Sequence, residues 1–305
     1  MGLVKPAPPI VLLGAQLPSR LSDLSKPPKA LFIRGELPRG PSVAIVGTRA
    51  PTPEASEFAR GLAADFARAG VAVLSGGAKG IDTAAHLGAL EAGGTTVVIA
   101  PAGYAVPYPE GNAGLFKQVV ERGGAYVSLV EDDVAATQAA FFPRNAVLVA
   151  LASAVVVVQA GLRSGAANAA SSARRLGRPL FVVPSAPWIA PGLGCIVELR
   201  RGARPCGGAR DVLELLAEMG AQPIPLEPEL PKPRKRRRAP TCVSGPDDLA
   251  RVRAALEQGA THPDEVADLA GLSVAVVNQL LLTMRLQGVL VSAAPGQLLL
   301  HKSSD

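Results

Sequence analysis

The residues best equipped for chemistry in this chain are cations set beside small turns. Ser75, Gly76, Gly77, Ala78, Lys79 and Gly80 form a turn between a short apolar run (71–74) and a helix-like stretch opening at Ile81. A strand, a tight glycine turn and a helix make a pocket for an anion. The first helical N–H groups lack internal partners, glycines let a phosphate approach the backbone, and Lys79 adds a point charge. The alternative is an ordinary strand-to-helix connection whose glycines serve tight packing, because short glycine motifs recur by chance. Two further turns repeat the arrangement: Gly47-Thr48-Arg49 after the run 43–46, and Arg163-Ser164-Gly165 after the run 154–159. Three turns that follow apolar runs and carry Arg49, Lys79 or Arg163 favour the anion reading together.

Other chemistry is poorly supplied. Asp82 and His86 stand four residues apart and could act as acid and base. The simpler expectation is that Asp82 caps the helix start and His86 packs locally. The turn after Val46 lacks G-x-G-x-x-G, no acidic residue ends the following strand, and GxxxxGK[ST] is missing. No Ser/His/Asp or Cys/His set occurs at usable spacing, so no catalytic residue is assigned and no enzyme activity is expected. Cys195, Cys206 and Cys242 lack metal-ligand spacing, and His86, His262 and His301 are scattered. The expectation is reduced thiols in a cytoplasm, with no metal and no cofactor. No run approaches the roughly 18 apolar residues of a membrane helix, and the Pro-containing start does not read as a signal peptide.

The elements that must position these turns follow from patterning. Apolar runs at 42–46, 71–74, 95–100, 125–129, 154–159 and 180–183 read as buried strands. Between the first two, Thr52 suits an N-cap and Pro53 the first helical position. Phe58, Leu62, Phe66 and Ala69 share one face, and Gly70 stops that helix. Helices at 113–121, 144–152 and 165–176 continue the rhythm. Uniformly apolar strands alternating with helices imply an α/β fold: an extended Rossmann-like, doubly wound, mostly parallel sheet. Its ligand site is expected at the carboxyl ends of the strands, at the switch in strand order.

Four segments are expected: a Pro-rich lead-in (1–40), the Rossmann-like domain (41–221), a basic Pro-rich linker (222–246) and a winged-helix domain (247–305). The linker holds Lys232, Arg234, Lys235, Arg236, Arg237 and Arg238; without these six the chain has 25 basic and 25 acidic residues. A solvated tether with that charge favours nucleic acid through counterion release, although it could also serve only as a solubilising spacer. Helices at 247–258, 263–270 and 273–287, then a hairpin across Pro295-Gly296, spell the winged helix. Its net charge of −3 and its third helix, with Asn278, Gln279 and only Arg285 as a cation, disfavour groove reading and favour protein contact or packing.

The motifs together resemble the DNA-processing protein A family (DprA, also called Smf). The resemblance runs from about Leu31 to the end. It rests on VAIVGTR (43–49), LSGGAKGIDTAAH (74–86), Tyr108-Pro109, the segment 141–145, the RSG turn (163–165), FVVP (181–184), Gly194, RRGA (201–204) and the trailing winged helix. It implies a non-enzymatic single-stranded DNA-binding protein that protects incoming ssDNA. It further implies a homodimer that loads RecA recombinase in natural transformation, serving competence and DNA recombination. Residue by residue, it places Arg49 and Lys79 on phosphates, Ser75, Gly76, Gly77 and Gly80 in a backbone cradle, and Arg144 and Asn145 beside them. Arg163, Ser164 and Gly165 join that groove, and Phe141 is a base-stacking candidate whose alternative is a core phenylalanine. The sequence departs from the family pattern at Ala146, where an arginine is usual, at Lys79, also usually arginine, and at 166–170, where hydroxyls give way to alanines and Asn168. The competing functions are a phosphoribohydrolase-like nucleotide-processing enzyme, whose PGGxGT pattern is missing, and a nucleotide sensor.

Overall fold

The computed structural model describes residues 8–222, 246–287, 289–294 and 297–300. The chain forms two compact units, 1–228 and 229–305. The first is built on one nine-stranded sheet. Its strands are β1 (Ile10–Leu13), β2 (Ala30–Gly35), β3 (Ser42–Val46), β4 (Ala72–Ser75), β5 (Thr96–Ala100), β6 (Ala125–Ser128), β7 (Ala154–Val157), β8 (Leu180–Val182) and β9 (Arg204–Pro205). They lie in the order β1-β2-β6-β5-β4-β3-β7-β8-β9. The seven strands from β6 to β9 run parallel, while β2 joins β6 and β1 joins β2 antiparallel.

Helices α1 (Pro53–Arg68), α2 (Ile81–Glu91), α3 (Ala113–Glu121), α4 (Phe141–Leu151), α5 (Gly165–Arg175), α6 (Leu193–Arg200) and α7 (Ala209–Glu218) cover both faces. The strands are apolar throughout because successive side chains enter opposite layers. In β3, Ala44 and Val46 join a core with Val147 of α4 and Ala169 of α5. Val43 and Ile45 join the other core with Leu62 and Phe66 of α1, Ile81 of α2 and Leu216 of α7. Thr52 caps α1 by accepting the Ala55 N–H at 3.3 Å, with Pro53 following it.

The doubly wound sheet agrees with the patterning, and its edges add to it. The lead-in supplies β1 and β2 of the same sheet. Beyond Val183, where the apolar rhythm stops, the chain adds α6, β9 and α7. Helix α4 begins three residues before the expected start because Pro143 sits within its first turn, where a missing N–H is tolerated.

The second unit is a winged helix: α8 (Pro246–Glu257), α9 (Pro263–Ala270) and α10 (Val274–Leu286), followed by the antiparallel pair β10 (Leu290–Ala294) and β11 (Gln297–Leu300). Gly271 ends α9 in the left-handed region at φ 63°, and Ser273 caps α10. Val252, Val266, Val277, Leu281 and Met284 form its core. The arginine run 232–238, Cys242, the Pro295-Gly296 turn and His301 lie outside the described residues.

Candidate functional site

The chain runs from β3 through β4 and β5 to β6 on one side, then returns to place β7 on the other side of β3. This puts the switch point at the carboxyl ends of β3 and β7, where two of the cation-bearing turns leave the sheet. The backbone ties the first turn to the second and to the end of the run that leads into the third. The Thr48 N–H donates to the Gln159 carbonyl at 2.7 Å, and the Ile81 N–H donates to the Thr48 carbonyl at 3.2 Å. Gln159 Oε1 also accepts the Thr52 N–H at 3.1 Å. Gly80, at φ 84°, closes the second turn; a Cβ there would lie 2.4 Å from the Thr48 carbonyl oxygen.

A cleft of about 830 Å³ opens at this point, walled by Arg49, Tyr108, Phe141, Arg144, Arg163 and Ser164, with Asn145 and Gly165 beside them. Phe141 is the first residue of α4 and lies half-buried on the cleft wall, not in a core. The Arg49 and Arg144 guanidinium carbons stand 5.4 and 5.7 Å from its ring centroid. Tyr108 meets it edge-on at 5.6 Å. An aromatic face set between cations suits a π-system joined to a phosphate.

Arg144 is the centre of this arrangement. It is only 4% exposed, and its Nη1 donates to the Ile99 carbonyl at 3.2 Å. Its buried Nε has no partner among the described residues. Burial lowers its pKa, while the Asp82 carboxylate opposes that effect. The guanidinium fits because residue 76 is glycine: a Cβ on Gly76 would lie 1.6 Å from Nη1.

Ser75, Gly76 and Gly77, expected as a backbone cradle, lie buried at the foot of the cleft. Gly76 lies against the Arg144 guanidinium and the Asp82 carboxylate, Gly77 faces Phe116 and Val98, and the Asp82 carboxylate accepts the Ala78 N–H at 3.3 Å. An acid in the first turn of α2 thus folds back over the turn, where a negative charge is favoured. Burial raises the Asp82 pKa, with the Arg144 charge and these backbone donors acting against it. The Ser75 hydroxyl is engaged with the Ile45 carbonyl at 2.6 Å. Lys79 is exposed on the same turn but does not line the cleft.

The third turn is shaped from within. Ser164 caps α5 by accepting the Ala167 N–H at 3.1 Å and donates to the Gly161 carbonyl at 3.0 Å. Asn145 Nδ2 reaches the Gly165 carbonyl and Asn168 Oδ1, each at 3.3 Å. Arg163 is left exposed between them.

Two residues passed over in the sequence belong to the setting. Asn112 donates to the Gly77 carbonyl at 2.9 Å and to Thr83 Oγ1 at 2.8 Å, holding the second turn; one asparagine in a loop carries no such signal. Trp188, the single tryptophan, is 84% exposed in the loop after β8, on the same carboxyl edge of the sheet. Its position in a Pro-rich stretch was the only available hint.

The acid–base pair does not form. His86 turns to Thr96 at 2.8 Å, while Asp82 faces the glycine turn. Among the described residues no three His, Cys, Asp or Glu side chains gather as metal ligands. Cys195 and Cys206 are buried, and burial pushes their thiols up to about 11 and about 12. No single described helix is long and apolar enough to cross a membrane.

The profile of the DNA recombination-mediator protein A family matches residues 10–217, and that of the DprA winged helix domain matches residues 233–297. A putative DNA processing protein DprA of Mycobacterium tuberculosis is 38% identical over 236 residues, covering 77% of this chain. The match spans 58% of that relative's length. Protein Smf of Escherichia coli is 33% identical over 92% of this chain and 73% of its own. Among solved structures, DNA processing protein A of Streptococcus pneumoniae superposes with a TM-score of 0.63 at 29% identity, over 67% of this chain and 73% of that one. The Helicobacter pylori protein, solved for its single-stranded DNA binding mode, gives 0.61 at 29% identity, over 69% and 96%. With the sheet, the arginine-walled cleft and the winged helix in place, the chain belongs to the DNA recombination-mediator protein A family of DNA-processing proteins.

Proposed function

We propose that the chain binds single-stranded DNA along the cleft at the carboxyl edge of the sheet, without catalysing a reaction. Arg49 and Arg163 take phosphates from the rims, Arg144 reaches one from the floor, and Phe141 stacks a base once the exposed Arg49 swings aside. The observation that carries this reading is the buried Arg144 guanidinium, whose Nε lacks a partner among the described residues at the floor of a cleft walled by an aromatic ring and two more arginines. A buried cation with a free donor is costly unless an anion completes it. Ser75, Gly76, Gly77, Gly80, Asn145, Ser164 and Gly165 set the geometry, and Lys79 adds field from the side. Family membership extends the proposal to protection of incoming ssDNA and RecA loading by a cytoplasmic homodimer during natural transformation. The winged helix serves protein contact: Leu282 and Leu286 are 58% and 81% exposed on α10 beside Asn278, with Arg285 its single cation.

The test is binding of labelled oligo-dT at 50 and 200 mM salt. Arg49→Ala with Arg163→Ala is expected to weaken binding at least about ten-fold and to flatten the salt slope by roughly 1.4, at about 0.7 per single-strand phosphate. Lys79→Ala alone should do much less. Salt-insensitive binding, or tight binding of a nucleoside monophosphate in place of the oligomer, sinks the reading.

A further inference from the structure

The positive charge of the larger unit is concentrated in one stretch. Residues 161–210 contain eight arginines, no lysine and a single acid, Glu198; the rest of 1–228 carries 13 basic and 16 acidic residues. Topology divides these arginines between two edges of the sheet. Helix α5 starts at Gly165, beside the cleft, and must end at the opposite edge, where β8 begins parallel to β7. Helix α6 likewise starts where the Gly194 N–H meets the Ala160 carbonyl at 2.8 Å, beyond the carboxyl end of β7, and runs back to the start of β9. Arg174 and Arg175 at the end of α5, Arg200 at the end of α6, Arg201 after it and Arg204 on edge strand β9 therefore gather at the amino edge. Eleven residues of α5, about 16 Å of helix, separate them from the cleft.

The cluster is real in space, because Arg174 and Arg201 both contact the buried Glu198, the latter at 3.2 Å. Each of its oxygens thus already faces one arginine, Oε2 that of Arg174 and Oε1 that of Arg201. Asp211, the next acid, turns to the Gly207 and Gly208 N–H groups at 2.6 and 3.2 Å. Burial lowers the Arg174 pKa, and repulsion from Arg201 and Arg175 lowers it further. Among the described residues, Arg175, Arg200 and Arg204 have no carboxylate partner and are exposed. Crowding like charges around one acid is unfavourable unless a polyanion joins them, and planar guanidinium forks suit phosphate.

We propose that Arg174, Arg175, Arg200, Arg201 and Arg204 form a second nucleic-acid surface, which holds the phosphate backbone of a DNA segment outside the cleft. The choice of nucleic acid rests on the ssDNA reading above. The existence of the cationic surface does not.

The test is a triple variant, Arg175→Gln, Arg200→Gln and Arg204→Gln, which leaves both partners of Glu198 in place. Binding is compared on oligo-dT of about 6 nucleotides, enough for one cleft, and of about 40 nucleotides. On the long strand the variant's salt slope should fall by about 2, so that wild type loses about 20-fold more affinity than the variant between 50 and 200 mM salt. On the short strand the two should match. An unchanged slope on the long strand overturns the proposal and leaves the surface to an acidic protein. Equal losses on both strands also overturn it, since the arginines then act only through the field at the cleft. Should Arg49→Ala with Arg163→Ala leave short-strand binding intact, it is the cleft reading that fails, while the long-strand comparison still decides this one.

Discussion

At the scale of single residues, the cleft depends on one missing side chain. Arg144 occupies the space a Cβ on residue 76 would fill, and its Nη1 holds the Ile99 carbonyl there. Gly76→Ala therefore acts on Arg144 more than on the turn. The methyl forces the guanidinium out of its slot, stranding the Ile99 carbonyl and moving the cation away from Phe141. The expected outcome is a folded protein, destabilised by about 1–3 kcal/mol in urea titration, with ssDNA affinity reduced at least about five-fold. Wild-type affinity in a folded Gly76→Ala variant would show that Arg144 plays no part at the floor. Glycine at position 76 was legible as permissive backbone, but its real duty toward an arginine 68 positions later was not. Asp82 teaches the same lesson. Its type and place announced a helix-start acid, yet only the fold shows its carboxylate turned back onto the Ala78 N–H.

At the scale of elements, α2, β4 and β5 are joined by a hydrogen-bond chain whose direction can be worked out. The Thr96 hydroxyl donates to the Val73 carbonyl at 2.7 Å, so its proton is committed. His86 Nδ1, at 2.8 Å, must then donate to Thr96 Oγ1, leaving Nε2 unprotonated and without a partner among the described residues. Burial lowers the His86 pKa from 6.5 to about 3. Between those values the unfolded chain binds a proton that the folded chain refuses, so stability rises with pH across the window and is lost on acidification. His86→Gln should remove this contribution, which amounts to a slope of about 1.4 kcal/mol per pH unit. Urea midpoints from pH 6.5 to 4.5 measure it, and parallel slopes for the two proteins would refute the neutral buried histidine. Most elements here were legible because buried parallel strands read as uniform apolar runs, and Thr52, Gly70, Ser164 and Ser273 mark helix ends with side chains suited to the task. The edges were not. Strand β9 is only Arg204-Pro205 and lacks any strand-like composition, while α6 follows a Pro- and Gly-rich loop that reads as a terminus. Both emerge from tertiary contact: β8 offers the pairing and the Ala160 carbonyl fixes the first turn of α6.

At the scale of the whole molecule, charge is distributed in three blocks. Net positive charge in 1–228 comes entirely from 161–210, six more cations lie at 232–238, and 247–305 is net negative at −3. The first block is anchored on the sheet, so its contacts are directional and depend on position. The second sits in a Pro-rich stretch, and on the proposed reading its share of binding would come mainly through counterion release, which depends on charge number and little on place. This difference predicts distinct losses. Replacing the six linker cations with Gly and Ser, keeping the length, should lower the salt slope by no more than about 4 and weaken binding moderately at 50 mM salt. Sequence-tolerant stacking on Phe141 should persist, so the variant still distinguishes oligo-dT from an abasic oligomer of equal charge. Arg49→Ala and Arg163→Ala combined with Phe141→Ala should do the reverse, erasing that distinction while much of the salt dependence survives. If neutralising the linker abolishes binding and the cleft variant does not, DNA is held by the tether and the carboxyl-edge cleft is not the binding site.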